Sequence, residues 1–273
     1  MPDSHHGHFL VNSLAPIAFP RSRSLDDDSR YDAFMDVLRD RVTSREFDHS
    51  YRMPRAHIEM VLQAATLAPS GANAQPWHYI VVTNPRTKRV IADLIVDDYT
   101  RRARATGHFH QIDYAAMGHA PGFVVVLLDP RMTWAFPGLM DGSELDQQYH
   151  AHSERILLQS VAASTTAAHL AATALGYQTW WVSALGADDA MAAIGRELGV
   201  PGDLRITDFF LFGPSLLPAS PRWKKNVDQV TSWDRFDMGN FKTVEQIDEW
   251  INELRRGALE TEPKYRIAPP AGK

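Results

Sequence analysis

"APSGANAQPWHYIVV", residues 68–82, sets Pro69, Ser70, Gly71 and Asn73 between a helical run and a strand. A helix-to-strand joint needs a cap and a turn, and one glycine supplies both. This chain uses four turn-forming or hydrogen-bonding residues there. The surplus reads as backbone and side chains, Ser70 and Asn73 above all, arranged to serve a ligand.

The surrounding chain is suited to a folded domain. At 273 residues, 44% of them hydrophobic, it can fill one large core or two small ones. A net charge of −5 and a pI near 6.2 give no general attraction to nucleic acid or anionic lipid. There is no cysteine, so disulfides and thiolate chemistry are excluded, and a reducing compartment fits. The N-terminus lacks the basic flank and apolar core of a signal peptide, which makes the cytoplasm the expected location. Ile156 to Leu175 is apolar but interrupted by Gln159, Ser160, Ser164, Thr165, Thr166 and His169, and reads as a helix buried in protein.

Residues 1–29 lack periodicity and are expected to form a flexible arm. Its His5, His6 and His8 read as a solvated tail rather than a metal site. Tyr31, Phe34, Met35 and Leu38 share one face of a helix ending near Asp40, and a second helix starts around Pro54, with Ile58, Val61, Leu62 and Ala65 on one face. Strands are predicted at 78–83, 122–129, 178–183 and 206–213. An Ala-rich helix is expected from about 153 to 175, stopping at Gly176, and another from Asp188 to Leu198. A last helix opens on a Thr243–Gln246 capping box and should bury Val244, Ile247, Ile251 and Leu254. With no repeat or linker, residues 30–257 read as one α+β domain, and 258–273 as a loose tail.

The common catalytic signatures are missing: GxGxxG after a strand, the P-loop, HExxH and GxSxG. The near pairs His108/His110 and His150/His152 are spaced i,i+2, which splays them apart on a helix. What remains are polar clusters at element edges. "RVTSR", residues 41–45, offers two guanidiniums four apart with two hydroxyls between, a cradle for a phosphate or a planar anion. "SPRWKK", residues 220–225, adds three cations after the last core strand.

"RVTSREF", followed by an amphipathic helix and "APSGANAQPWHYIVV", resembles the nitroreductase family of FMN-dependent oxidoreductases. The likeness continues from about residue 31 to 237 through the strand order, "ALGYQTWWVSAL" and the basic segment before "VDQVTSWDRF". It implies an α+β nitroreductase-like fold, a mainly antiparallel central sheet flanked by helices, in a domain-entwined homodimer with two interfacial FMN sites. Carried over by position, Arg41, Val42, Thr43 and Arg45 would meet the cofactor, Arg45 toward flavin N1 and O2. Pro69, Ser70 and Asn73 would come from the partner chain, with Gln75 beside them. Ser183, Ala184 and Leu185 fall where the family sets a turn against the flavin edge carrying N5, and Arg222 and Lys224 match its late phosphate-binding cations. Two departures bear on the substrate: Val42 stands where Arg is common, and Ser183-Ala184 where several relatives have Glu-Gly or Thr-Pro.

The loop from Arg131 to Met140 carries Met132, Trp134, Phe136 and Pro137, whose aromatics either line a substrate pocket or fill a satellite core. Asp98, Tyr99 and Arg102 resemble the lid residues of reductive iodotyrosine dehalogenases in the same family, but at i, i+1, i+4 they are expected to form a surface face. The resemblance thus implies hydride transfer from NADPH or NADH through FMN to an electron-poor aromatic, a nitroarene or quinone, by a ping-pong mechanism with no metal. Reductive dehalogenation, oxygen-dependent flavin breakdown and flavin storage without turnover are the alternatives.

Overall fold

The structure, a computed structural model, describes residues 28–106, 113–136, 138, 141–183, 188–217 and 224–259. The N-terminal arm with its histidines, the His108/His110 pair and the tail beyond Leu259 lie outside the described residues.

Among the described residues four strands form one antiparallel sheet: β1 (Trp77–Val81), β2 (Gly122–Leu128), β3 (Gln178–Val182) and β4 (Arg205–Gly213), in the order β1-β2-β4-β3. All seven residues of β2 are buried, as its unbroken apolar run "GFVVVLL" requires of a central strand covered on both faces. Alternation divides the side chains. Val124, Val126, Leu128, Phe210 and Phe212 face one cluster, and Phe123, Val125, Leu127, Phe209 and Leu211 the other. Each fully buried Phe contributes about 1.5–3 kcal/mol of hydrophobic stabilisation.

Six α-helices of the described residues complete three layers: α1 (Ser29–Asp40), α2 (Arg55–Thr66), α3 (Pro85–Thr106), α4 (Glu144–Ala174), α5 (Asp188–Leu198) and α6 (Val244–Leu259). α2 packs on α4 over the even-numbered face, through Ile58, Val61 and Ala65 against Leu157, Val161, Ala168 and Ala172. α3 and α5 cover the other face with Ile91, Ala92, Ile95 and Ile194. The expected strands and helices are therefore present, an α+β architecture.

Three expectations need correction. α4 starts at Glu144 rather than near 153, because Ser143 caps it by accepting from the Asp146 N–H (3.2 Å) and Glu144 and Asp146 complement the helix dipole. Those first two turns are polar, so hydrophobic periodicity did not reveal them. The Thr243–Gln246 capping box forms in both directions (3.0 and 3.3 Å), yet α6 does not bury the predicted face: Val244 and Ile247 are exposed and Ile251 is half-buried. Asp98 is no surface residue. It is 4% exposed and grips Arg101 (2.8 Å) and Arg102 (2.6 Å), while Tyr99 packs edge-on against Tyr114. This corner of α3 is built around an internal ion pair.

Gly71 marks the closest approach of the loop after α2 to α4. Its N–H donates to Ser160 Oγ (3.2 Å), and a Cβ there would run into Ile156 Cγ2 and lie 3.0 Å from Phe136 Cζ. Gly71→Ala should cost about 1–3 kcal/mol through overpacking, measured by urea unfolding. A change below about 0.5 kcal/mol, the scale of an ordinary surface substitution, would show that the loop is not pinned there.

Candidate functional site

β3 is an edge strand, and the segment after α1 covers only its beginning. Thr43 forms a single parallel bridge with Thr179: the Ser44 N–H donates to Thr179 O (3.0 Å) and the Thr179 N–H to Val42 O (3.5 Å). The chain then bends at Arg45 and pairs next at Phe47 with Ser215, just past the end of β4 and so beyond the start of β3. Backbone groups facing one edge of a strand recur every second residue, so those of Trp181 and Ser183 face the same edge past the end of this cover.

Alternation also sorts the segment's side chains. Val42, Ser44 and Phe47 are buried, Thr43 is exposed, and Arg41 and Arg45 are half-buried. Of the two hydroxyls expected in the cradle, only Thr43 faces outward; Ser44 Oγ is bonded to Ser215 Oγ (2.8 Å) and holds the segment down. Arg45 lies over the Trp180 ring, with Cζ 5.3 Å from the centroid, on the α3/α5 side of the sheet. Arg41 acts on the α4 side, where its charge, after burial, helps hold the His169 pKa down at about 3. Among the described residues no strand covers that edge past Trp181, and two cations stand by it, Arg45 on the α3/α5 face and Arg41 toward His169 on the α4 side.

His169 and the paired tryptophans of β3 were not singled out in the sequence. The imidazole is 4% exposed, its Nδ1 is bonded to Thr179 Oγ1 (2.7 Å), its ring stacks on Trp181 and meets Phe210 edge-on, and its Nε2 has no partner among the described residues. Trp181 Nε1 donates to Asp208 (2.6 Å), a carboxyl whose pKa burial raises. The available signal was "TWWV" in a strand: consecutive aromatics that must point to opposite faces.

The loop 69–75 forms a second cluster. Ala72, Asn73 and Gln75 all take left-handed φ values (50°, 52° and 46°), at a cost of about 1–2 kcal/mol each for a non-glycine residue. Local bonds hold this strain: the Gln75 N–H donates to Ser70 Oγ (3.1 Å) and Gln75 Nε2 to Asn73 Oδ1 (3.3 Å). The side chains of Pro69, Asn73 and Gln75 face solvent, and Ser70 is half-buried. Strained, exposed polar loops of this kind are characteristic of ligand clamps.

The two clusters reach α4 at different points, Gly71 at Ser160 and Thr179 at His169. Nine residues of helix, about 13 Å, separate them. Of the remaining candidates, Ser183 is exposed at the end of β3 and Lys224 is exposed, while Ala184, Leu185 and Arg222 lie outside the described residues. The aromatic loop divides between its two readings: Trp134 is 77% exposed, but Phe136 packs against the second core cluster beside Gly71. Among the described residues no group of three or more His, Asp or Glu is placed to hold a metal, and no helix is long and apolar enough to cross a membrane.

The profile of the nitroreductase family matches residues 38–213. The chain belongs to that family, a family of oxidoreductases. It is 38% identical over 56 residues to the oxygen-insensitive NADPH nitroreductase of Helicobacter pylori, a match spanning 20% of this chain and 27% of that protein. To mouse iodotyrosine deiodinase 1 it is 34% identical over 98 residues, 35% of this chain and 34% of the other. The matched regions thus span about a third or less of these relatives. The fold is similar to that of Bacillus megaterium NfrA2, with a TM-score of 0.63 at 16% identity over 86% of this chain and 87% of that one.

His169 makes a pH prediction. Its folded pKa lies below the ordinary value of 6.5, so the unfolded chain binds the extra proton and stability falls as pH drops from about 6.5 toward about 3. Between pH 7.5 and 5.5 the wild type should lose about 1.4 kcal/mol more than His169→Asn, read from urea unfolding at each pH. Identical pH slopes would contradict the buried neutral imidazole.

Proposed function

We propose that the protein is an FMN-dependent NAD(P)H oxidoreductase acting on an electron-poor aromatic, a nitroarene or quinone. The observation that carries this reading is the pair of cations, Arg41 and Arg45, set on opposite faces of the open β3 edge. A ligand that lies along a strand edge between two guanidiniums is planar, carries hydrogen-bonding atoms on its rim and is anionic, which describes the isoalloxazine and phosphate of FMN. The donor set fits: the guanidiniums for the anion and the N1–O2 region, the outward Thr43 hydroxyl for the ribityl chain, and the backbone edge past Trp181 for the ring rim. His169, buried and neutral, adds no competing charge beside Arg41.

When bound, FMN would supply hydride chemistry between NADPH or NADH and the acceptor. The protein's part is to bind and orient. Arg41 and Thr43 hold the phosphate and ribityl end, with Arg222 and Lys224 as further phosphate contacts; Arg45 stabilises the negative charge gained on reduction; Ser183, Ala184 and Leu185 border the N5 edge. Pro69, Ser70, Asn73 and Gln75 complete the site from a second copy of the chain. Supporting this division, the two clusters sit about 13 Å apart along α4, and large apolar side chains stand exposed on α1 (Tyr31, Phe34) and from Trp233 to Phe241. Such surfaces need cover, and a second copy provides it.

Arg41→Ala combined with Arg45→Ala should release FMN, since each charge-assisted bond lost costs about 1.5–3 kcal/mol. Absorbance after gel filtration checks this, and full FMN retention refutes the site. With no separate dinucleotide-binding turn in the chain, reductant and acceptor should share one stacking position above the flavin. Steady-state plots at several fixed acceptor concentrations should give parallel lines. Intersecting lines, with a competent ternary complex, would reveal a second binding position.

A further inference from the structure

We propose that Trp180 is a positioning residue for Arg45, and that through Arg45 it sets how much more tightly the site holds reduced than oxidised flavin. This rests on the FMN reading above.

The indole is a fixed floor. Trp180 is 2% exposed on the α3/α5 face of β3, and its ring stacks on Tyr114 with centroids 5.9 Å apart at 16°. Tyr114 is itself braced edge-on by Tyr99 at 5.0 Å. Tyr99 leaves the same turn of α3 as Asp98, whose carboxylate is clamped by Arg101 and Arg102. This aromatic column runs from the ion-paired α3 corner to the edge of the sheet, and the Arg45 guanidinium rests on its end, 5.3 Å from the indole centroid and within the range of a cation–π contact.

The chemistry of that contact matters for a flavin. A ring holds a guanidinium through the π quadrupole and fixes the plane in which it lies. The Trp180 face therefore helps orient Arg45 before a ligand arrives. Orientation established before binding need not be bought from the ligand's own interactions. The reduced flavin gains negative charge at N1 and O2, where Arg45 is expected to reach, so loosening the guanidinium weakens the reduced form more than the oxidised one. A side chain that only filled the core would weaken both alike.

The test compares wild type, Trp180→Leu, Trp180→Phe, Arg45→Met and the double variants, each loaded with FMN. The readouts are the FMN dissociation constant from fluorescence and the midpoint potential by dye-equilibrated titration. Trp180→Leu should lower the ratio of reduced to oxidised affinity about tenfold, a fall of about 30 mV for a two-electron couple. Trp180→Phe, which keeps a ring, should recover most of that loss, and on the Arg45→Met background Trp180→Leu should produce no further fall. An unchanged potential in FMN-loaded Trp180→Leu overturns the proposal, as does an equal fall with and without Arg45. If Trp180→Leu does not fold, Trp180→Met, which removes the ring but keeps a long apolar side chain, is compared on the two backgrounds in its place, with the same outcomes. Wild-type protein that takes up no FMN refutes the proposed function itself, a different outcome from FMN-loaded variants with one common potential.

Discussion

The single bridge between Thr43 and Thr179 is the contact on which the candidate site depends. It pins the chain after α1 to the edge of β3 for three residues and then lets it bend away at Arg45. A longer pairing would have closed the edge and buried its backbone groups in another strand; no pairing would have left the guanidiniums free to sample many rotamers. The one-residue bridge does neither. It leaves the edge past Trp181 open and sets a cation on each of its faces, with Ser44–Ser215 and Phe47 as anchors.

The second constraint lies on α4. Its serines and His169 join it to four different elements: Ser160 receives the Gly71 N–H, Ser164 bonds to Ala65 O of α2 and to the Tyr79 hydroxyl of β1, and His169 joins Thr179 of β3. Each bond satisfies a buried polar group that would otherwise be costly. Together they fix the strained loop, the sheet and the cationic segment relative to one helix. That helix is the ruler along which the two halves of the site are spaced.

Much of this was legible in the sequence because the relevant signals are local. Residues 68–82 showed a helix end, a turn richer than the joint needs and a strand, and the four strands showed their β-branched and aromatic runs. The cations at 41 and 45 were visible as a cluster, but their placement on opposite faces of β3 was not, because a bend at Arg45 decides it. His169 was hidden inside an apolar helix, where a histidine looks like an interruption and not like a partner for a strand residue ten positions on. Asp98 was misread for the same reason: helical spacing marks which residues neighbour one another, but α5 and the 114–119 turn decide which face is covered. Exposed apolar residues on α1 and α6 show the converse, a periodic face that meets no core among the described residues.

The central claim is that one chain carries two half-sites and that two copies complete each other. Mixing subunits tests it most directly. One subunit carries Arg41→Ala with Arg45→Ala, the other Ser70→Ala with Asn73→Ala, and each alone should bind little FMN. In a two-fold dimer built from one of each, one site receives both intact halves and the other both damaged ones, so the purified mixed dimer should hold about half the wild-type flavin. No recovery on mixing, with the mixed dimer shown to have formed, would contradict the shared site.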